Sequence, residues 1–142
     1  MIKNILNPGS YPNNINLILF LLRIGVGVFM LTHGLGKFSN LFGDDPIQFA
    51  NPIGIGETAS LALTVFAEVF CSIILILGFA TRLSVIPLLI TMLVAAFIIH
   101  TNDGFGKQEL PLLYGMVYLA IAIAGAGKFS VDHWICQKIN FN

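Results

Sequence analysis

The chain has 142 residues, of which 56% are hydrophobic and only 10% charged, and its mean hydropathy is +0.87. Soluble domains carry about 25% charged residues, too many for so apolar a chain to match with a water-facing surface, and the zero net charge argues against a nucleic-acid partner, which would need a basic patch. The length allows one domain, residues 1–142, and leaves any large catalytic domain to another chain.

Four long apolar runs follow one another, at about 16–36, 58–78, 83–100 and 110–127. Each is roughly 18–21 residues, enough for a helix to cross a hydrocarbon core of ~30 Å. A lone strand cannot satisfy its backbone in lipid, so helices are expected. The fold class predicted is all-α, an integral membrane four-helix bundle with an apolar first outer loop and a short C-terminal interfacial helix.

The first run, Asn16 to Gly36, is interrupted by Arg23 and lacks a small-residue cleavage site, so it is expected to stay in the mature protein. Gly25, Gly27, Gly34 and Gly36 let a neighbouring helix approach closely. The loop from Lys37 to Glu57 is half apolar, with Phe42, Ile47, Phe49, Ile53 and Ile55, and is expected to fold back onto the membrane surface rather than extend into water. The second run, Thr58 to Gly78, meets the third through the tight link Phe79–Arg82. Pro87 is expected near the first turn of the third run, where its missing N–H matters little. A polar link, Thr101–Glu109, leads to the fourth run. Ser130–Ile139 reads as a short interfacial helix with Trp134 at the boundary, Ser130 as its cap and Asp132 at its positive end.

Lys3, Arg82, Lys128 and Lys138 fall on one side of this arrangement; Lys37 and Lys107 fall on the other with Asp44, Asp45, Glu57, Asp103 and Glu109. The positive-inside rule then places both termini in the cytoplasm.

Ionisable residues inside a span are costly and usually face the bundle interior. Glu68 lies at the middle of the second run, on one stripe with Thr64, Cys71 and Ser72. Arg23 differs from it in depth by about 6 Å of helix rise, so one reading is a structural Arg23–Glu68 ion pair. The other is that Glu68 binds a proton or a polar head group. His33 and His100 both end their runs at a depth of about 25 Å on the outer side, with Lys37 a turn beyond His33 and Glu109 in the same layer. Tyr114 and Tyr118 share one face of the fourth run. The candidate ligand-binding residues are therefore His33, Lys37, Glu68, His100, Glu109 and Tyr118. Two His and a carboxylate can ligate a metal, but these sit on separate segments and no metal is expected. Gly125–Ala–Gly–Lys128 lacks the spacing of a phosphate loop. Cys71 and Cys136 form no redox motif, and no catalytic residue is assigned.

Three stretches carry a family resemblance. They are Arg23-Ile-Gly-Val-Gly-Val-Phe-Met-Leu-Thr-His-Gly-Leu-Gly-Lys37, Ala67-Glu-Val-Phe-Cys-Ser-Ile-Ile-Leu-Ile-Leu-Gly-Phe-Ala-Thr-Arg82 and Gly125-Ala-Gly-Lys-Phe-Ser-Val-Asp132. In that order they resemble the DoxX family of bacterial four-helix membrane proteins, over about Leu17 to Trp134. The family pattern falls on Arg23, His33, Gly34, Lys37, Glu68, Gly78, Arg82, Glu109, Ser130 and Asp132. The family usually has Pro and Arg where this chain has Ala126 and Lys128, which bears on the geometry of that turn. The resemblance implies the bacterial inner membrane and links to redox chemistry, including the quinone-linked subunit of thiosulfate oxidation. The expected function is a membrane subunit of a redox system, in the manner of a quinone-linked oxidoreductase, that binds a quinone or lipid-like ligand in the bundle. No haem or cluster motif is evident, so electrons would come from a partner. The alternatives are a non-catalytic assembly subunit of a larger membrane complex and a small proton-coupled transporter. The expected partners are the lipid bilayer and either further copies of the chain or a larger membrane complex.

Overall fold

The structure, a computed structural model, describes residues 6–140. These form five helices: α1 (Asn13–Leu41), α2 (Glu57–Leu77), α3 (Thr81–Ile99), α4 (Phe105–Ala124) and α5 (Val131–Asn140), with no strand among the described residues. The first four make an antiparallel bundle. One end gathers the α2–α3 link, residues 6–12 and α5, and is the terminal face. The other carries the α1–α2 loop and the α3–α4 turn, and is the loop face. Lys3, counted above towards the positive charge of the terminal face, lies outside the described residues.

Three helices, α1, α2 and α3, are long and apolar enough to cross a membrane. The fourth is long enough, but its first turns carry Lys107, Gln108 and Glu109, and its apolar part begins at Leu110. Large apolar side chains, among them Phe29, Phe66, Phe97 and Ile123, point outward around the bundle. Such a belt is stable only against hydrocarbon. Half of the apolar window of α2 is buried in protein, against 33% for α1 and 28% for α3, so α2 is the most enclosed of these three helices.

The core brings Met30 of α1, Leu75 of α2, Leu88 of α3 and Tyr118 of α4 into one cluster. Neighbouring helices pack closely around the ring except at one seam, where α1 and α4 meet over few residues. The α1–α2 loop folds back onto the bundle itself: Ile47 and Phe49 pack on Leu61, Val65 and Val69 of α2, while Ile53 and Ile55 stay exposed.

Two features break the regular helices. Phe66–Cys71 of α2 and Ala95–Ile99 of α3 are π-helical. Each wider turn re-aims the side chains that follow it, and such insertions are common at functional sites. In α2 the consequence is that Ala67, Glu68 and Val69, three successive residues, are all buried. Pro87 sits deeper in α3 than expected because the helix already starts at Thr81. It therefore removes a backbone hydrogen bond inside the helix rather than at its end.

The α2–α3 link is a capped turn. Gly78, at φ 68°, ends α2: its N–H donates to Leu75 O and the Phe79 N–H to Ile74 O. Ala80 follows at φ 43°, unfavourable for a residue with a Cβ. The compensation comes from Asp132, whose carboxylate accepts from the N–H groups of Ala80 (2.7 Å) and Thr81 (2.9 Å). Asp132 was expected to serve the start of its own helix; its carboxylate instead caps α3. Ser130 caps α5 as expected, accepting the His133 N–H at 3.2 Å.

Candidate functional site

The Arg23–Glu68 pair expected from depth alone does not form. Arg23 is fully buried, and its guanidinium donates to three backbone carbonyls at the terminal face: Ala126 O, Phe129 O (2.6 Å) and Ile76 O (3.5 Å). The reason lies in side-chain direction. Every Cα–Cβ bond tilts towards its helix N-terminus. α1 starts at the terminal face, so Arg23 leans that way. α2 starts at the loop face, so Glu68 leans away from Arg23. Lys37, on the last part of α1, leans back down towards Glu68.

Lys37 and Glu68 are accordingly the ion pair of the bundle. The Lys37 Nζ donates to Oε1 at 2.6 Å and to Oε2 at 2.7 Å. The Glu68 side chain is 3% exposed and that of Lys37 is 32% exposed, so the pair opens only through the lysine. Gly34 makes the approach feasible. A Cβ there would lie 2.8 Å from Val69 Cγ2 and 3.0 Å from the backbone carbon and Cβ of Glu68. Both halves of the pair thus depend on a glycine one turn below Lys37 and on the π turn that carries Glu68.

The pair borders a small chamber of about 140 Å³ under the loop face, to which His33, Met30, Met92, His100, Leu110 and Tyr114 also contribute. His33 meets the Tyr114 ring edge-on, at 6.0 Å between centroids. His100 follows directly on the π turn of α3 and is held from outside. Its Nδ1 lies 2.7 Å from Asp103 Oδ2, and the Gln108 side chain donates to its carbonyl at 3.0 Å. The His100 ring contact, with the Lys107 ammonium 3.8 Å away, holds the Asp103 carboxyl below its ordinary value.

Of the six candidate ligand residues, four line this chamber: His33, Lys37, Glu68 and His100. Glu109 does not; it is exposed on the first turns of α4. Tyr118 does not either. It is fully buried one turn below Tyr114, with the two rings stacked at 6.1 Å, and its hydroxyl has no hydrogen-bond partner among the described residues. Tyr114, which the sequence singled out only as a companion of Tyr118, is the chamber's tyrosine. The sequence signal for that choice was its position nearer the His33/His100 layer. Cys71 and Cys136 are both free thiols. Among the described residues no three His, Cys, Asp or Glu side chains are grouped to hold a metal ion.

A second, apolar cavity of about 530 Å³ adjoins the chamber. It is a groove along the loosely packed α1–α4 seam, running on α1 from Ile18 to Phe29 and on α4 from Val117 to Leu110. Leu110 and Tyr114 line both cavities.

Chemically the chamber offers donors and acceptors without net charge from its ion pair: an ammonium fixed by a carboxylate, two imidazoles and a phenol. Such a set suits the oxygen atoms of a small uncharged head group.

The comparisons with known proteins fit this architecture. An uncharacterised protein of Haemophilus influenzae is 31% identical over 125 residues, covering 82% of this chain and 90% of that protein. The inner membrane protein YqjF of Escherichia coli is 26% identical, covering 82% of this chain and 90% of its own length. The putative oxidoreductase CatD of Bacillus subtilis is 25% identical, covering 81% and 84%. No solved structure matches the chain. The DoxX family model matches residues 18–101, which contain Arg23, His33, Lys37, Glu68 and His100. The chain is a membrane protein and belongs to the DoxX family.

Proposed function

We propose that this protein is a membrane subunit of a redox system and binds the head group of a quinone or quinone-like lipid in the Lys37–Glu68 chamber. The observation that carries the reading is the ion pair itself: an ammonium held by a nearly inaccessible carboxylate, yet open on its own side to a chamber that His33, His100 and Tyr114 share. Lys37 donates to a carbonyl oxygen of the head group. Glu68, bonded to the Lys37 Nζ through both of its oxygens, holds the lysine in place. His33, His100 and Tyr114 supply the remaining hydrogen bonds and exchange protons when the head group changes redox state. A partner chain delivers the electrons. The name of the Bacillus subtilis relative, putative oxidoreductase, supports the redox context.

In the same reading α4 is the fourth span, both termini face the cytoplasm and the membrane is the bacterial inner membrane, as the name of the Escherichia coli relative supports. The chamber then lies near the outer boundary of the bilayer.

The test is equilibrium binding of an alkyl benzoquinone to the protein in lipid nanodiscs. Saturable binding at one site per chain is expected. A lost hydrogen bond to a charged group is worth roughly 1.5–3 kcal/mol, so Lys37→Gln should weaken binding at least about tenfold. Equal binding by the wild type and Lys37→Gln refutes the assignment.

A further inference from the structure

The chamber is smaller than the ~300–1,000 Å³ in which proteins usually enclose a small molecule, while the adjoining groove lies within that range. The two differ in chemistry as well as in size. The chamber holds the ion pair, His33 and His100; the groove is lined by apolar side chains apart from Tyr114, which lines both cavities. Their order along the bundle axis matches that of a membrane. The chamber lies under the loop face, level with the end of α1. The groove extends from there along α1 between Phe29 and Ile18, twelve residues or about 16 Å of helix rise, towards the middle of the bundle and beyond. It opens sideways, because α1 and α4 are the one adjacent pair in the ring that does not close.

We infer that the ligand enters sideways from the bilayer through the α1–α4 seam and is an amphiphile with a small uncharged head and one long apolar chain, the head in the chamber and the chain along the groove. This rests on the head-group reading above and adds the chain, its place and the route. Tyr114 and Leu110 mark the junction of head and chain. A ligand with two bulky acyl chains and a phosphate, the form of the bulk lipid, does not match a single groove ending at a small chamber whose lysine is already paired with Glu68.

Gly25 makes this testable without touching the chamber. It lines the groove, and a Cβ built on it meets nothing within 4 Å. Gly25→Leu therefore starts a side chain into the groove from a position with open space at its Cβ, and a helix gains rather than loses by the exchange. Gly36, which also has open space at its Cβ and lies outside the groove, provides the matched control Gly36→Leu. Leu22→Trp narrows the groove from the same wall as a second variant.

The probes are decyl-benzoquinone and the same benzoquinone without a chain, measured on the protein in nanodiscs. For Gly25→Leu and Leu22→Trp, affinity for the decyl probe is expected to fall at least about tenfold, with the chainless probe within about twofold of wild type. Gly36→Leu is expected to leave both unchanged. Unchanged decyl binding in Gly25→Leu and Leu22→Trp overturns the inference, and so does an equal loss in Gly36→Leu. If the chainless probe binds and Lys37→Gln abolishes it while the groove variants do nothing, the groove assignment falls and the head-group reading stands. If the groove variants act only on the decyl probe while Lys37→Gln acts on neither, the chain assignment stands and the head-group reading falls. Failure of both probes to bind the wild type overturns both.

Discussion

Cutting the ion pair from its two ends should give unequal losses. Lys37→Met leaves the Glu68 carboxylate, 3% exposed, with no charge partner in a bundle surrounded by hydrocarbon. Removing one member of a buried pair typically costs about 3–5 kcal/mol; Lys37 is only two-thirds enclosed, so the expected loss is about 2–3 kcal/mol. Glu68→Gln keeps the shape and one acceptor, and the freed ammonium, 32% exposed, can turn to the loop face. Its expected cost is about 1 kcal/mol, smaller than that of a stranded carboxylate. The double variant has neither charge and should resemble Glu68→Gln alone. The coupling read from the cycle then equals the Lys37→Met loss, about 2–3 kcal/mol. The assay is reversible unfolding in mixed micelles followed by helical circular dichroism. A coupling below about 0.5 kcal/mol, or a greater loss for Glu68→Gln than for Lys37→Met, would refute the argument from burial.

Gly34→Ala should separate α1 from the π turn of α2, since its Cβ meets backbone and Val69 at 2.8–3.0 Å; a loss of about 1–3 kcal/mol is expected, against none for Gly25→Ala. Asp132→Ala removes the only side-chain acceptor seen for the Ala80 and Thr81 N–H groups among the described residues, and should cost about 1–2 kcal/mol in the same assay; a loss below about 0.3 kcal/mol would contradict the capping role. The His100–Asp103 contact should be pH-dependent. Because Asp103 is held below its ordinary value, its contribution is present above about pH 4 and is lost as pH falls through the folded-state midpoint. His100 is the larger cause, so the Asp103 carboxyl midpoint, followed by carbon NMR, should rise more in His100→Gln than in Lys107→Gln.

The helices were legible because apolar runs of spanning length leave few options in lipid. The common level of His33 and His100 was legible too, since depth follows from rise per residue. Partner choice was not. Counting depth paired Glu68 with Arg23, whereas the tilt of Cβ towards each helix N-terminus separates those two and brings Lys37 to Glu68. Asp132 was read as local for a similar reason: a carboxylate near a helix start suits that start, and nothing in the sequence shows α3 beginning beside it. The π turns at Phe66–Cys71 and Ala95–Ile99 left no signal in the residue pattern, because they depend on how the helix packs. The groove at the α1–α4 seam is likewise a property of packing between distant segments.

The most direct test of the account is native mass spectrometry of the protein taken from bacterial membranes into nanodiscs. One tightly held small amphiphile per protein molecule, with a single apolar chain, is expected, and it is lost in both Lys37→Gln and Gly25→Leu. Bulk phospholipid alone, equally retained by the wild type and both variants, would contradict it.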